Sequence, residues 1–204
     1  MEQVLRDRKW MFAIILSHLL IGFTFTRPAV FWYLLTGAML CLISYAMIIE
    51  KFDDRLALHK YFYYGLASGI FFYALALLAY GIIDWLSLSF LKNEIIGIYD
   101  RFSPDSFWHY IVLALIIVPG EEIFFRGFLF KRLLNYLPFW HSALLSGFLY
   151  AMTYIYSQYI ILIAAAFFFG ILWSALYAWK KSLPLVILSH LTFDLLLFLI
   201  FPLH

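Results

Sequence analysis

The chain has 204 residues, of which 66% are hydrophobic and 22% aromatic, while only 13% are charged. A soluble domain of this size cannot hide so much apolar surface from water, so the bilayer must be part of its solvent. A net charge of +2 without a long basic block argues against a nucleic-acid partner, and the single cysteine, Cys41, excludes an intramolecular disulfide and a Cys/His metal cluster.

A hydrocarbon core of about 30 Å takes roughly 17 to 25 apolar residues per helix. That length predicts an all-α, polytopic membrane protein with about seven transmembrane helices: Trp10–Thr26, Ala29–Ile49, Tyr61–Ile83, Phe107–Phe130, Phe139–Ser157, Tyr159–Ala178 and Leu183–Phe201. The first span follows a charged start, "MEQVLRDRKW", as a signal peptide would. It leads into "RPAV" rather than a small-residue cleavage site, so a retained helix is expected. The one long connection, Asp84–Ser106, mixes apolar and charged residues and is expected to lie along the membrane surface. With the N-terminus cytoplasmic, the inner side carries Arg6, Arg8, Lys9, Lys51, Arg55, Lys60, Lys131, Arg132, Lys180 and Lys181. The outer side carries only Arg27, Lys92 and Arg101, a strong positive-inside bias.

The fourth span breaks its own pattern with "VPGEEIFFRG". A charge at the bilayer centre costs at least about 2.5 kcal/mol, so intramembrane charges are rare and usually functional. Glu122 and Arg126 are four apart, on one helical face, and can form a bridge. Glu121 is turned about 100° away and has no partner within its own helix. A buried ion pair that only fixes packing accounts for Glu122 with Arg126 but not for Glu121. Pro119 removes an amide donor and Gly120 leaves backbone bare. Irregular backbone at membrane depth survives where it is buried in protein or lines a wet cavity, so a water-accessible pocket beside the glutamates competes here with a simple packing kink.

The last span contributes "LSHLTFDLL", with His190 and Asp194 one turn apart, so that Asp194 can accept from the imidazole and set its tautomer. At 1.5 Å per residue, His190 and Glu121 both lie on the order of 15 Å from the cytoplasmic ends of their helices. The fifth span carries Tyr150 and Tyr154, which at that spacing would ordinarily be aromatic packing near an interface. Small residues of the sixth span (Ala164 to Ala166, Gly170, Ser174, Ala175) suit close helix contact and suggest no chemistry of their own. Among the other histidines, His59, His141 and His204 fall at ends or loops, His109 lies too far along its helix to reach Glu121, and His18 is a loose candidate for a polar partner.

These residues resemble a known family. "EEIFFRG" is similar to the EExxxR motif of the CAAX protease and bacteriocin-processing (CPBP, or Abi) family, and "HLTFD" resembles its closing HxxxN/D motif. The stretch "GILWSALYAWKKSLPLVILSHLTFD" also resembles the glycine-and-small-residue run, basic turn and approach to the histidine found there. The resemblance covers about 107–201, implying a catalytic helical core there and leaving 1–106 as generic N-terminal membrane helices with the outer-surface segment. It implies a glutamate-dependent intramembrane endopeptidase with no cofactor and no essential metal, resident in a membrane, here expected to be a bacterial cytoplasmic one. Its substrate would be a membrane-associated or lipidated peptide. Glu121 would activate water, Glu122 with Arg126 would organise the site, and His190 supported by Asp194 would stabilise the oxyanion. One departure stands out: where the family has FxxxH, this chain has Tyr150 and Tyr154, so Tyr154 takes the histidine position. A tyrosine hydroxyl donates to an oxyanion but, with a reference pKa of about 10, is a poor base. An inactive relative that binds a peptide or membrane protein, for example in bacteriocin immunity, therefore stands as the alternative. A proton-coupled carrier using Glu121 and His190 lacks the internal repeat common in such folds. A zinc site built from Glu121, Glu122 and His190 is a further option that chelation would test.

Overall fold

In lipid the backbone must satisfy its own hydrogen bonds, and the chain does so with helices. The computed structural model describes residues 6–52 and 57–203, and among these there is no strand. Arg55 and His204 lie outside the described residues. Helix α1 (Arg8–Phe25) is capped by Asp7, whose Oδ1 accepts from the amides of Lys9 and Trp10, both at 3.1 Å. A short 3-10 turn leads into α2 (Phe31–Ile49), followed by α3 (Leu58–Trp85). Ser87, at a left-handed φ of 52°, turns the chain into α4 (Ser89–Phe102). Next comes α5, a continuous helix over residues 107–133, then α6 (Phe139–Thr153), α7 (Ile160–Lys180) and α8 (Leu183–Leu195, continued to Ile200 in wider π turns).

Besides α4, seven helices are thus present among the described residues, each overlapping one expected span. Five are long and apolar enough to cross a bilayer by length and composition: α1, α2 with its leading turn, α3, α7 and α8. The other two depart for physical reasons. α5 is interrupted by two stretches of wider turns and carries five charged residues, Glu121, Glu122, Arg126, Lys131 and Arg132, and α6 has only 15 residues. The expected surface segment forms the amphipathic α4, at 14 residues too short to span; it packs Ile95, Tyr99 and Phe102 inward.

Helices α3 and α8 run side by side in the same direction, joined by Ser68 donating to Ser189 Oγ at 2.9 Å and by Tyr73 donating to the carbonyl of Phe201 at 2.6 Å. Gly147 lets α6 approach α7, because a Cβ there would lie 2.8 Å from Ile171 Cγ1. Helix α5 threads the middle, with Phe124, Phe125, Phe128 and Phe130 all buried around its charged residues. At one end of the bundle Arg132 pairs with Asp7 at 2.6 Å and Glu50 at 3.3 Å, and Lys131 pairs with Glu50 at 3.0 Å. The basic residues that precede α1, follow α2 and end α5 therefore gather on one side, as the positive-inside pattern requires. Burial pushes the Asp7 carboxyl up, but the Trp10 and Lys9 amides and the Arg132 guanidinium outweigh it and hold it below the ordinary aspartate range.

Candidate active site

Helix α5 presents its charges from an irregular stretch, and the proline explains why. Pro119 has no amide hydrogen and its ring crowds the carbonyl of the preceding turn. The helix opens just upstream: the Val118 amide donates to the carbonyl of Leu113, five residues back. A second widened stretch begins at Glu122 and ends where the Lys131 amide reaches the Arg126 carbonyl, again five back. Such π turns often mark functional positions. Gly120 is buried against α2, where a Cβ would meet Met39 Cβ at 2.9 Å. The glycine thus serves close packing on one face, while the cavity opens on the face that carries Glu121.

Two carboxylates leave α5 in different directions and meet different partners. Glu122 and Arg126 are fully buried. Arg126 Nη1 donates to Glu122 Oε1 at 3.0 Å, and Nη2 donates to the Gly170 carbonyl at 3.4 Å. The guanidinium lies over the Tyr150 ring at 4.5 Å and the Trp173 ring at 5.5 Å. Glu121 faces α6 instead. Its Oε1 accepts from the Tyr154 hydroxyl at 2.6 Å and its Oε2 from the Tyr150 hydroxyl at 2.8 Å. The two hydroxyls are 3.2 Å apart.

His190, from α8, stands between the two glutamates. Its Nδ1 lies 2.7 Å from Glu122 Oε1, and because an ionised carboxylate only accepts, Nδ1 carries the hydrogen. Its Nε2 lies 3.7 Å from both Glu121 Oε2 and Asp194 Oδ2. The expected hydrogen bond from the imidazole to Asp194 is therefore replaced. Glu122 fixes the tautomer, and the Trp173 ring, stacked on the imidazole at 3.8 Å, fixes its plane. One turn of α8 separates Asp194 from His190, but the imidazole is drawn toward α5, which leaves Asp194 at ion-pair range.

Glu121, Tyr150, Tyr154, Trp173, His190 and Asp194 all line one cavity of about 180 Å³, roomy enough for several waters. Its remaining walls are mostly apolar and come from α1, α2, α4, α5, α7 and α8. A second cavity of about 310 Å³ lies between α3, α4, α7 and α8, with no charged group in its walls, and shares Ile98, Leu162, Phe169 and Phe193 with the first. Among the described residues no group of three His, Cys, Asp or Glu side chains is arranged to hold a metal ion. His18 is outside the site and contacts the Tyr156 hydroxyl at 3.3 Å. His109 pairs with Asp105 at 2.7 Å and stacks on Trp32, while His59 and His141 are exposed.

Every residue singled out from the sequence (Glu121, Glu122, Arg126, Tyr154, His190 and Asp194) converges here. Tyr150 and Trp173 join them without having been assigned chemistry. For Tyr150 the signal was present: a buried phenol needs a partner, and an unpaired carboxylate was the group at matching depth. For Trp173 the sequence offered only an aromatic one turn after Gly170, a spacing that packing alone also produces.

An all-helical membrane bundle with a buried Glu–Glu–Arg cluster facing a histidine in a mostly apolar cavity is a recognisable class of intramembrane protein. Residues 103–196, somewhat under half of the chain, match the family model for type II CAAX prenyl endopeptidase Rce1-like proteins, so this core is similar to the CPBP (CAAX protease) family. The match contains all six of the converging residues. No curated protein and no solved structure matches the chain.

Proposed function

We propose that the protein is a glutamate-dependent intramembrane endopeptidase that hydrolyses a peptide bond of a membrane-associated or lipidated peptide. The observation that carries this is the placement of Glu121 and His190 Nε2, 3.7 Å apart, on the wall of a cavity of about 180 Å³ inside the bundle. Glu121 takes a proton from a cavity water, and the resulting hydroxide attacks the carbonyl carbon of the scissile bond. Each of its oxygens keeps a lone pair beyond the one a tyrosine occupies, so a water can still bind. The tetrahedral oxyanion draws on the Tyr154 hydroxyl and, when Nε2 is also protonated, on His190, with Asp194 alongside. Glu121 then delivers its proton to the leaving nitrogen as the C–N bond breaks, releasing a carboxylic acid and an amine, which become carboxylate and ammonium by proton exchange. Glu122 and Arg126 act through His190 and the helix framework rather than on the peptide.

The uncharged second cavity, which shares wall residues with the first, supports a substrate with an apolar segment or lipid chain beside the bond that is cut. Purified protein in detergent, presented with a pooled library of apolar and lipidated peptides, tests the proposal. Cleavage that persists with chelator and disappears in Glu121→Gln supports it, whereas cleavage surviving Glu121→Gln sinks it.

A second reading, a relative that holds a peptide without cutting it, is favoured by one feature. Both oxygens of Glu121 already accept tyrosine hydroxyls, one of them from the position where the family has histidine. Binding of a peptide with no turnover, unchanged by Glu121→Gln, is the outcome it expects.

A further inference from the structure

Tyr150 stands outside the six residues that the motif pattern singled out, at a position where the family has a phenylalanine that cannot form a hydrogen bond. We propose that Tyr150 is a positioning residue that sets the direction of the Glu121 carboxylate and couples it to the Glu122–Arg126 pair. This rests on the peptidase reading for its consequence in turnover, though not for the contact itself.

Three observations meet at this side chain. Its hydroxyl donates to Glu121 Oε2 at 2.8 Å. Its ring face lies 4.5 Å from the Arg126 guanidinium carbon, a cation–π contact inside the bundle, where little water competes. Its edges are held by Phe125, with ring centres 4.7 Å apart, and by the bare α-carbon of Gly170, where a Cβ would lie 3.2 Å from the tyrosine ring and 3.6 Å from Arg126 Nη2. Tyr150 is itself buried, so the ring has no freedom to rotate away.

Tyr154 also reaches Glu121 but is held differently. Both tyrosines line the cavity, but Tyr154 is half-buried and sits just past the end of α6, so its hydroxyl can give way to water or an oxyanion. Tyr150 cannot, and its contact on Oε2 therefore defines which lone pairs of Glu121 face the cavity. Arg126 is fixed by Glu122, the Tyr150 ring by Arg126, and Glu121 by the Tyr150 hydroxyl. The adjacent glutamates, which point apart on α5, are thus linked through a single side chain from α6.

Tyr150→Phe tests this, because it keeps the ring, the guanidinium contact and the packing while deleting only the hydroxyl. With a cleaved peptide in hand, kcat falls by about ten- to a hundredfold through lost alignment of the base, while KM is unchanged. A merely structural role would move KM and thermal stability along with kcat. A second measurement does not depend on turnover. The infrared carboxylate band of Glu121, identified by its loss in Glu121→Gln, shifts in Tyr150→Phe because one donor has gone. An unshifted band overturns the proposal whether or not any peptide is cut, and so does a wild-type kcat in Tyr150→Phe. If cleavage survives Glu121→Gln, the peptidase reading fails on its own, and the infrared comparison still decides whether Tyr150 orients Glu121.

Discussion

Deleting the carboxylate of Glu122 should unfold this protein more readily than any other single change in the site. Arg126 is fully buried, and among the described residues Glu122 supplies its only ion pair, at 3.0 Å, and its Nε has no partner. Glu122→Ala leaves a cation in a bundle interior with one long contact to the Gly170 carbonyl and two aromatic faces. Breaking a buried pair in this way costs about 3 to 5 kcal/mol. His190 Nδ1 loses its acceptor in the same step, and an unsatisfied buried donor costs about 1 to 3 kcal/mol more where the two losses do not overlap. For a chain of this length the melting temperature should drop by roughly 10 °C. Glu121→Ala should drop it by much less, because the Tyr150 and Tyr154 hydroxyls can turn to each other across 3.2 Å. The assay is thermal unfolding of the two variants in one detergent, followed by intrinsic tryptophan fluorescence. Replacing both partners, in Glu122→Leu with Arg126→Met, should recover much of the loss, since an apolar pair of similar volume is often no less stable than a buried ion pair. Equal melting temperatures for Glu122→Ala and Glu121→Ala, or no recovery in the double variant, would refute the division of labour between the glutamates.

Other outcomes follow from the same geometry. Glu121→Gln, nearly isosteric and still able to accept a tyrosine hydroxyl, should keep the wild-type melting temperature while losing peptide cleavage; parallel loss of both would make the residue structural. Tyr154→His should raise cleavage if the cavity is a peptidase site weakened by the tyrosine, and an unchanged rate would favour the peptide-binding relative. Asp7→Ala should cost about 1 to 2 kcal/mol at neutral pH through the lost cap of α1. Because the folded carboxyl titrates below its unfolded value, its contribution is full above the ordinary aspartate range and is lost as pH falls through the folded pKa. Unfolding of the wild type and Asp7→Ala should therefore converge in strong acid, and a constant gap across pH would leave no role for the charge.

Much of the site was legible because charge inside a membrane span is so unfavourable that each instance demands a reason. Glu121, Glu122, Arg126, His190 and Asp194 stood out against an apolar background, and the four-residue spacing of Glu122 and Arg126 is enough to pair them on any helix. The partner of His190 was less legible. Its neighbour Asp194 is four residues away, but Glu122, 68 residues away in sequence, holds Nδ1. Local spacing identifies which side chains share a face; it does not say which of two carboxylates a neighbouring helix brings closer.

Hydropathy and charge placement by themselves determined that this chain is a bundle of membrane helices, since apolar runs of roughly 17 to 25 residues match a spanning helix, whose backbone satisfies itself, and not the short alternating strands of a barrel. They also marked which residues had to be sheltered from lipid. What only the tertiary structure decided was the pairing across helices. The wide turns around Pro119 and the close approach at Gly170 let α5 and α6 meet with Tyr150 against both Glu121 and Arg126. That outcome depends on how the helices are rotated and how closely they approach, quantities set by packing among residues far apart in sequence.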